Sequence, residues 1–441
     1  MPGKEIMDSK LKSSNKWAVI MIAVMGIIFI WLAAYVSRKA AREQVSDFQA
    51  YYMAAKALCE HADPYVFSEK PYIYPPLFAT LCMPLATLPI GTAAVLYLPF
   101  LIAAVLFSLL LGAREFMERF NVQRSDILVC SVMFLTLLVM EDRIKSDLQM
   151  FQVNSLLLFL MTLSLRWLDR RPFMAGAALG LALNIKMFPV IVFPYLLFRR
   201  RWTTAAAMAG SAAAFGLLPA LVIGWKTNLQ YLAQSSGGFL YLLGIHTDLQ
   251  QKAQIKDVTA SYSVSIPSGM ARVLGADHSL MAWLIVAAAF SGLILFGALV
   301  YRHAGLPRLR WPDCQRQKNQ PWRAIVALEW AALITVALVF SPQTNSRHFL
   351  MLTTLATLAA TLLIKTYRTP AWRPILTGTL LLLAGLTLPP GSHRQDTMHT
   401  LEKGWQFIGG PSWMILLSLI PLLWGGTILI KELPASPRTL P

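Results

Sequence analysis

The sequence predicts an all-α membrane protein that crosses the bilayer about twelve times. Of the 441 residues, 56% are hydrophobic and only 14% are charged, and the mean hydropathy is +0.54. Apolar runs recur along the whole chain and are separated by short charged clusters, as in polytopic membrane proteins. This composition excludes the water-soluble globular classes.

The predicted spans form one transmembrane domain, residues 17–430. A cytoplasmic segment, 1–16, precedes it and a cytoplasmic tail, 431–441, follows it. The first apolar run follows several lysines and could be a signal peptide, but it lacks a clear cleavage site and is better explained as a retained anchor. The spans are predicted near residues 17–36, 92–112, 127–140, 153–168, 173–185, 187–198, 203–223, 282–301, 324–340, 348–364, 374–388 and 411–430.

The net charge of +17 is concentrated in short segments between the apolar runs. The densest basic clusters, 199–201 and 302–323, both fall inside if the N-terminus is cytoplasmic, whereas the segments on the other side are nearly neutral. The positive-inside rule therefore supports this orientation in the cell inner membrane, with both termini in the cytoplasm. The same distribution argues against nucleic acid as a partner, because the basic residues follow the membrane topology.

The first outside loop, 37–91, is predicted to be periplasmic and to contain juxtamembrane helices. Asp47 and Tyr51 are four residues apart, so they share one face if this segment is helical. Pro64 is expected to end that helix, because it disfavours a helical conformation of the residue before it. Segment 77–88 is apolar but short and flanked by prolines, which favours an interfacial or re-entrant piece.

Several short motifs of this loop match a known family. They are Asp47, Tyr51, Tyr52, Ala54, Ala55, Asp63, Pro64, Tyr65, Tyr74, Pro75, Pro76, Leu77, Pro84 and Leu85. The pattern resembles glycosyltransferase family 87, bacterial membrane enzymes that take mannose or a related sugar from a polyprenyl phosphate donor. The resemblance implies a GT-C type fold, hexosyltransferase activity and a glycolipid or envelope glycan as acceptor.

The fifth and sixth predicted spans are each short. Basic residues precede the first of them and follow the second, so both of these ends are predicted to be cytoplasmic, which indicates a hairpin. Pro189 breaks the helix at its tip, and Lys186 there reaches the outer face. This lysine either snorkels to the interface or binds an anionic lipid phosphate. Gln152 and Asn154, followed by the glycine-rich hairpin, form a second match to family 87, and both are predicted to bind substrate.

Residues 341–348 open the tenth span from outside and form a third match. The family usually has serine-proline, a few polar residues and then one or two histidines, whereas this chain has a single His348 preceded by Arg347. We expect Arg347, Lys186 and His348 to surround the donor phosphate, with His348 counted among the catalytic residues. A lone histidine at a span entrance is otherwise more often structural.

Sugar transfer from a lipid phosphate needs a base for the acceptor hydroxyl and cations for the leaving phosphate. The resemblance implies that Asp47 is this base, in a single displacement that inverts the anomeric centre. Helix N-capping or an ordinary surface charge is the competing explanation. Tyr51, Tyr52 and Tyr74 are predicted sugar contacts, although aromatic residues are common at membrane interfaces in general.

A second acidic group, Glu141, Asp142 and Asp147, falls in the next predicted outside loop among basic residues. Mixed charges usually belong to a solvated loop, so Asp142 and Asp147 are secondary candidates for binding substrate. With Asp47 they could hold a divalent cation, but the cations around a lipid phosphate suffice, so no metal and no cofactor are predicted. Glu329 lies inside a span and needs a partner that the sequence does not identify.

Two alternatives predict other features. A transporter or flippase of lipid-linked glycans should show inverted repeats and charges at the bilayer midplane, and we find no internal repeat in the sequence. An oligosaccharide polymerase or ligase should depend on arginines of the large outside loop, 224–281, which contains only Arg272. The sequence therefore favours sugar transfer on the periplasmic side.

Overall fold

The computed structural model describes residues 2–66, 70, 72–123, 125–242, 258–275, 279–303, 305, 320–341, 344–367, 369–387 and 403–433. Within these ranges the chain is helical apart from turns and one isolated β-bridge, which confirms the all-α prediction. The principal α-helices are α1 (Pro2–Ala41), α2 (Phe48–Cys59), α3 (Pro76–Ala86), α4 (Ile90–Arg119), α5 (Asp126–Gln149), α6 (Asn154–Trp167), α7 (Pro172–Ile185), α8 (Val192–Phe198), α9 (Trp202–Leu217), α10 (Ala220–Ile223), α11 (Trp225–Leu242), α12 (Ile266–Leu274), α13 (Ser279–His303), α14 (Gln320–Val339), α15 (Thr353–Thr366), α16 (Trp372–Thr387) and α17 (Gly410–Lys431). Two 3-10 helices, Phe188–Ile191 and Ser346–Leu352, precede α8 and α15.

Among the described residues, seven helices are long and apolar enough to cross a membrane. The other predicted spans correspond to helices that are shorter, such as α7, or more charged, such as α5. The protein is thus a multi-pass helical membrane protein, whereas a count of twelve stays a prediction. The seven helices are Lys16–Ala41, Ile90–Arg119, Trp202–Ile223, Met281–His303, Gln320–Val339, Ser346–Thr366 and Gly410–Lys431.

The loop predicted to be the first on the outside contains two short helices, α2 and α3, which pack against each other. Helix α2 ends at Cys59, and His61 just beyond it has a φ of 56°. A left-handed residue of this kind is a common way to end a helix, because it turns the chain away from the helix axis. The prediction that Pro64 ends the helix is therefore wrong, since the chain turns before reaching it.

The predicted hairpin around Lys186 turns back toward the end of the bundle from which it came. Lys186 is extended and separates α7 from the next 3-10 helix, and Arg201 after α8 binds Asp169 before α7 at 2.6 Å. Helix α7 packs against α9 and α6 rather than against α8. Gly176 and Gly180 allow this close approach, since a Cβ atom on Gly176 would lie 2.4 Å from a carbonyl oxygen of α9.

Segments predicted to be cytoplasmic meet in one ion-pair network at the C-terminal ends of α4 and α6. The buried Arg119 guanidinium lies 2.7 Å from Glu115 and 3.0 Å from Asp169, and Arg323 lies 2.8 Å from Glu118. These residues come from three predicted inside segments that are distant in sequence. The network lies at the opposite end of α6 from Asn154.

The structure supplies the missing partner of Glu329, which is Arg199. The Arg199 Nε atom lies 2.9 Å from one carboxylate oxygen, and a second guanidinium nitrogen binds the other. The hydroxyls of Tyr195 and Tyr301 donate to the same carboxylate, each at 3.0 Å. This geometry satisfies both Glu329 oxygens, which offsets the cost of placing the charge inside a span.

Replacing Glu329 by leucine should therefore lower the free energy of unfolding by roughly 3–5 kcal/mol, because Arg199 would be left buried without its partner. Thermal unfolding of the detergent-purified protein measures the loss. The double variant Glu329→Leu/Arg199→Met should recover most of it, and Glu60→Leu, whose partner Lys56 is 46% exposed, serves as the surface control. A double variant no more stable than the single one would contradict the pairing.

Candidate active site

Side chains from several separate segments meet at a cavity of about 340 Å³. The predicted site residues come from five of them, which are the start of α2, the stretch before α3, the α5–α6 connection, the chain after α7, and the 3-10 helix before α15. All three motifs found in the sequence therefore contribute to one cavity. The predicted site residues that line it are Asp47, Tyr74, Gln152, Asn154, Lys186 and His348.

Asp47 precedes α2 but its side chain makes no capping hydrogen bond to the described first turn of that helix. Its carboxylate instead accepts a hydrogen bond from the side-chain amide of Gln152. It also forms an ion pair with Arg347, whose Nη1 atom lies 2.9 Å from Asp47 Oδ2. Arg347 follows Asp47 by 300 residues in the sequence. The contacts thus favour a role of Asp47 in the cavity over helix capping.

Lys186 is held by a line of hydrogen bonds that leads to a buried carboxylate. Its Nζ atom donates to Asn154 Oδ1 at 2.9 Å, and Asn154 Nδ2 donates to Asp147 Oδ1 at 3.0 Å. The Ser155 hydroxyl donates to the other Asp147 oxygen at 2.5 Å. Because the amide nitrogen of Asn154 faces the carboxylate, its oxygen faces the ammonium, and the ammonium also lies 6.0 Å from the centre of the Tyr74 ring.

Burial shifts the pKa values of both charged ends of this line, which lie outside the seven candidate spans. Burial raises the pKa of Asp147 to about 7, against hydrogen bonds from Ser155 and Asn154. Burial also lowers the pKa of Lys186 to about 8, against the attraction of Asp147 and Asp47. An ammonium that keeps its proton near neutral pH is suited to bind an anion in this cavity.

Two predicted site residues, Tyr52 and Asp142, lie away from the cavity and from the side chains that line it. Tyr52 follows Tyr51 by one position and lies on another face of α2, where its hydroxyl donates to the Leu88 carbonyl at 2.8 Å. The Asp142 side chain is 66% exposed and lies 3.4 Å from its neighbour Arg143. Neither side chain therefore lines the cavity, because α2 and α5 turn them away from it.

Asp147 was predicted to lie in a solvated loop, but the structure places it in a helix. Helix α5 continues to Gln149, so the acidic group is helical, and positions 142 and 147 point about 140° apart. Asp147 is consequently buried beneath Asn154. Among the described residues, no group of three or more His, Cys, Asp or Glu side chains is arranged to hold a metal ion.

Tyr51 is buried and supports the cavity wall from behind. Its ring lies 5.6 Å from the ring of Tyr74 and 5.1 Å from that of Phe78, in an edge-on arrangement with the latter. Of these three rings, that of Tyr74 is the one that lines the cavity. Tyr51 thus positions the aromatic wall and does not line it.

Other lining residues were not assigned a role from the sequence. Asn345 belongs to the third motif and Tyr262 to a loosely matching stretch, but Ser235 of α11 carries no local signal. A further part of the wall is apolar, so the cavity offers both charged and hydrocarbon surface. These apolar residues are Ile73, Leu157, Met187, Phe188, Leu338 and Met351.

A multi-pass helical protein with carboxylates and cations converging in one cavity fits the class of membrane-embedded enzymes that act on anionic substrates. The chain belongs to glycosyltransferase family 87, which it matches over residues 72–342. The prediction of a glycosyltransferase is confirmed at this level. Gln152, Asn154 and Lys186 lie within the matched region, whereas Asp47, Arg347 and His348 lie outside it.

Two relatives come from Mycolicibacterium smegmatis. A polyprenol-phosphate-mannose-dependent alpha-(1-2)-phosphatidylinositol pentamannoside mannosyltransferase is 29% identical over 230 residues, 52% of this chain and 48% of the relative. The corresponding phosphatidylinositol mannoside mannosyltransferase is 24% identical over 394 residues, 83% of this chain and 80% of the relative. The chain thus spans about half the length of the first relative and most of the second. Among solved structures, apo ArnT from Cupriavidus metallidurans has 14% identity and a TM-score of 0.41, with 95% of this chain and 76% of ArnT covered.

Proposed function

We propose that this protein transfers a hexose, with mannose as the first candidate, from a polyprenyl phosphate to a glycolipid or envelope glycan on the periplasmic side of the inner membrane. The observation that carries the proposal is that Asp47 and Lys186 line one cavity and that Arg347 is ion-paired with Asp47. The names of both relatives support the donor and suggest a phosphatidylinositol mannoside as the kind of acceptor.

In the proposed reaction Asp47 is the base. The acceptor oxygen attacks the anomeric carbon of the donor sugar while its proton passes to the Asp47 carboxylate. The bond from the anomeric carbon to the phosphate oxygen breaks, and its electron pair leaves with the polyprenyl phosphate. This single displacement inverts the anomeric configuration.

The leaving phosphate gains one negative charge as the bond breaks, so nearby cations stabilise the transition state more than the bound donor. Lys186 supplies an ammonium within the cavity, and Arg347 adjoins it through Asp47. Only one of the Arg347 nitrogens is used by Asp47, and a guanidinium has further N–H donors for a phosphate. His348 lines the same wall and is the proposed third donor.

Contacts elsewhere make the alternative functions less favourable. Arg272, the arginine on which a ligase would depend, donates to the backbone carbonyls of Ala260, Ser263, Gln406 and Phe407. Its guanidinium is thus used in holding the chain together. The Asp47–Arg347 pair and the network around Arg119 lie near the two ends of the bundle, whereas a transporter predicts charges at the midplane. Glu329 lies inside a span, but both of its oxygens are bound by Arg199 and two tyrosine hydroxyls.

The proposal is tested with purified protein and a panel of polyprenyl phosphate sugars, together with a phosphatidylinositol mannoside acceptor. Mass spectrometry should show release of polyprenyl phosphate and an acceptor heavier by one hexose, most rapidly with the mannose donor. The absence of sugar transfer from every donor in the panel would refute the proposal. A different preferred sugar would keep the reaction and correct the substrate.

The pKa of Lys186 gives the proposed reaction a pH dependence. The protonated form binds phosphate, so kcat/KM for the donor should fall as the pH rises through about 8. Lys186→Arg should move this decline far upward, because a guanidinium keeps its proton at such pH values. The profiles are recorded at saturating acceptor, and an identical alkaline decline in both proteins would assign the titration to another group.

A further inference from the structure

A short stretch of the large outside loop pairs with the backbone just before Arg347. The Val264 N–H donates to the Thr344 carbonyl at 2.7 Å, and the Thr344 N–H donates to the Ser263 hydroxyl at 3.1 Å. Ser263 also forms an antiparallel β-bridge with Asn345. Ser263 and Thr344 are buried, so their hydrogen bonds are shielded from water.

This stretch is itself anchored on its other side. The Arg272 guanidinium donates to Ser263 O at 2.8 Å and to Phe407 O at 2.9 Å, which joins the stretch to the chain before α17. Helix α12 lies directly on that chain, since a Cβ atom on Gly269 would be 2.4 Å from Ile408 O. The backbone at Ser263 is therefore held in place by Arg272 and by the packing of α12 against the chain before α17.

The pairing continues into the site through Asn345. Its side-chain oxygen accepts the Arg347 N–H at 3.3 Å, and its carbonyl accepts the His348 N–H at 2.9 Å. Thr344 and Asn345 also line the cavity. The backbone held by Ser263 is thus the start of the helix that presents Arg347 and His348.

We propose that Ser263 is a positioning residue that holds the 344–348 backbone so that Arg347 and His348 can meet the donor phosphate. This inference rests on the proposed function. Removing the hydroxyl leaves the buried Thr344 N–H without its acceptor, which favours a shift of this backbone. A small displacement of a phosphate ligand weakens donor use, whereas the acceptor contacts elsewhere are kept.

The test is Ser263→Ala in the full-length protein. We expect the donor KM to rise roughly tenfold with the acceptor KM unchanged, and the Thr344 amide to exchange its hydrogen faster. Ser263→Cys, which keeps a weak acceptor, should fall between alanine and the unaltered protein. The matched control is Ser108→Ala, since Ser108 is equally buried but donates within its own helix to Ala104 O at 2.6 Å.

If the hydrogen-exchange rate of the Thr344 amide did not change, its hydrogen bond to Ser263 would be refuted. If exchange became faster but the donor KM did not change, the role of Ser263 in positioning would be refuted. If the KM values for donor and acceptor rose equally, Ser263 would serve only the stability of the fold, and the inference would also be overturned. If Ser263→Ala does not fold, the same comparison is made with Ser263→Cys. An unaltered protein that is inactive with every donor would instead refute the proposed function, and the exchange measurement does not depend on activity.

Discussion

Replacing Asp47 by asparagine should reduce sugar transfer on the order of 10³-fold while the protein stays folded, because the amide cannot take the acceptor's proton. The carboxylate faces the cavity and is 31% exposed, so its loss should cost little stability. Initial rates of hexose transfer at saturating donor and acceptor measure the effect, and thermal unfolding checks the fold.

The matched control is Asp142→Asn, a change of the same kind at a carboxylate paired with its own neighbour outside the cavity. It should leave the rate close to that of the unaltered protein. Near-normal turnover by Asp47→Asn would remove Asp47 from the role of base. The remaining geometry would then point to a different proton acceptor.

Replacing Lys186 by methionine should weaken use of the donor on the order of 10²-fold, because the leaving phosphate loses a buried cation that balances its new charge. The length of the side chain is nearly kept, so Asn154 and Asp147 retain similar packing. The change is measured as kcat/KM for the polyprenyl phosphate sugar. Arg347→Met should act in the same direction.

Lys56→Met in α2 is the control for removing one positive charge, since Lys56 is half exposed and 4.0 Å from Glu60. Its donor kinetics should not change. Unchanged donor use in both Lys186→Met and Arg347→Met would reject the assignment of these cations to the phosphate. If Lys186→Met and Arg347→Met weakened only the use of the acceptor, Lys186 and Arg347 would be assigned to acceptor binding instead.

The sequence was sufficient to predict which distant motifs meet. Each motif borders an apolar run on the same predicted side, and α-helices that cross a bilayer bring such ends together. Asp47, Lys186 and Arg347 accordingly share one region of the structure. The basic stretch 302–323, predicted to lie inside, likewise contributes Arg323 to the ion-pair network at the other end.

Details that depend on helix phase and tertiary packing could not be predicted in the same way. Asp147 is buried because α5 extends beyond the apolar run, and an apolar run alone does not show where its helix ends. The partner of Glu329 is 130 residues away, with no local pattern that marks it. Ser263 contacts the third motif through backbone pairing, which depends on the fold and not on a recognisable spacing.

The ion pair between Asp47 and Arg347 has a consequence for the enzyme while it waits for its donor. The pair joins the start of α2 to the 3-10 helix before α15, two segments that are 300 residues apart in the sequence. Under the proposed function, a donor phosphate that competes for the same guanidinium would loosen this link. We therefore expect donor binding to change the mobility of α2 as well as the contents of the cavity.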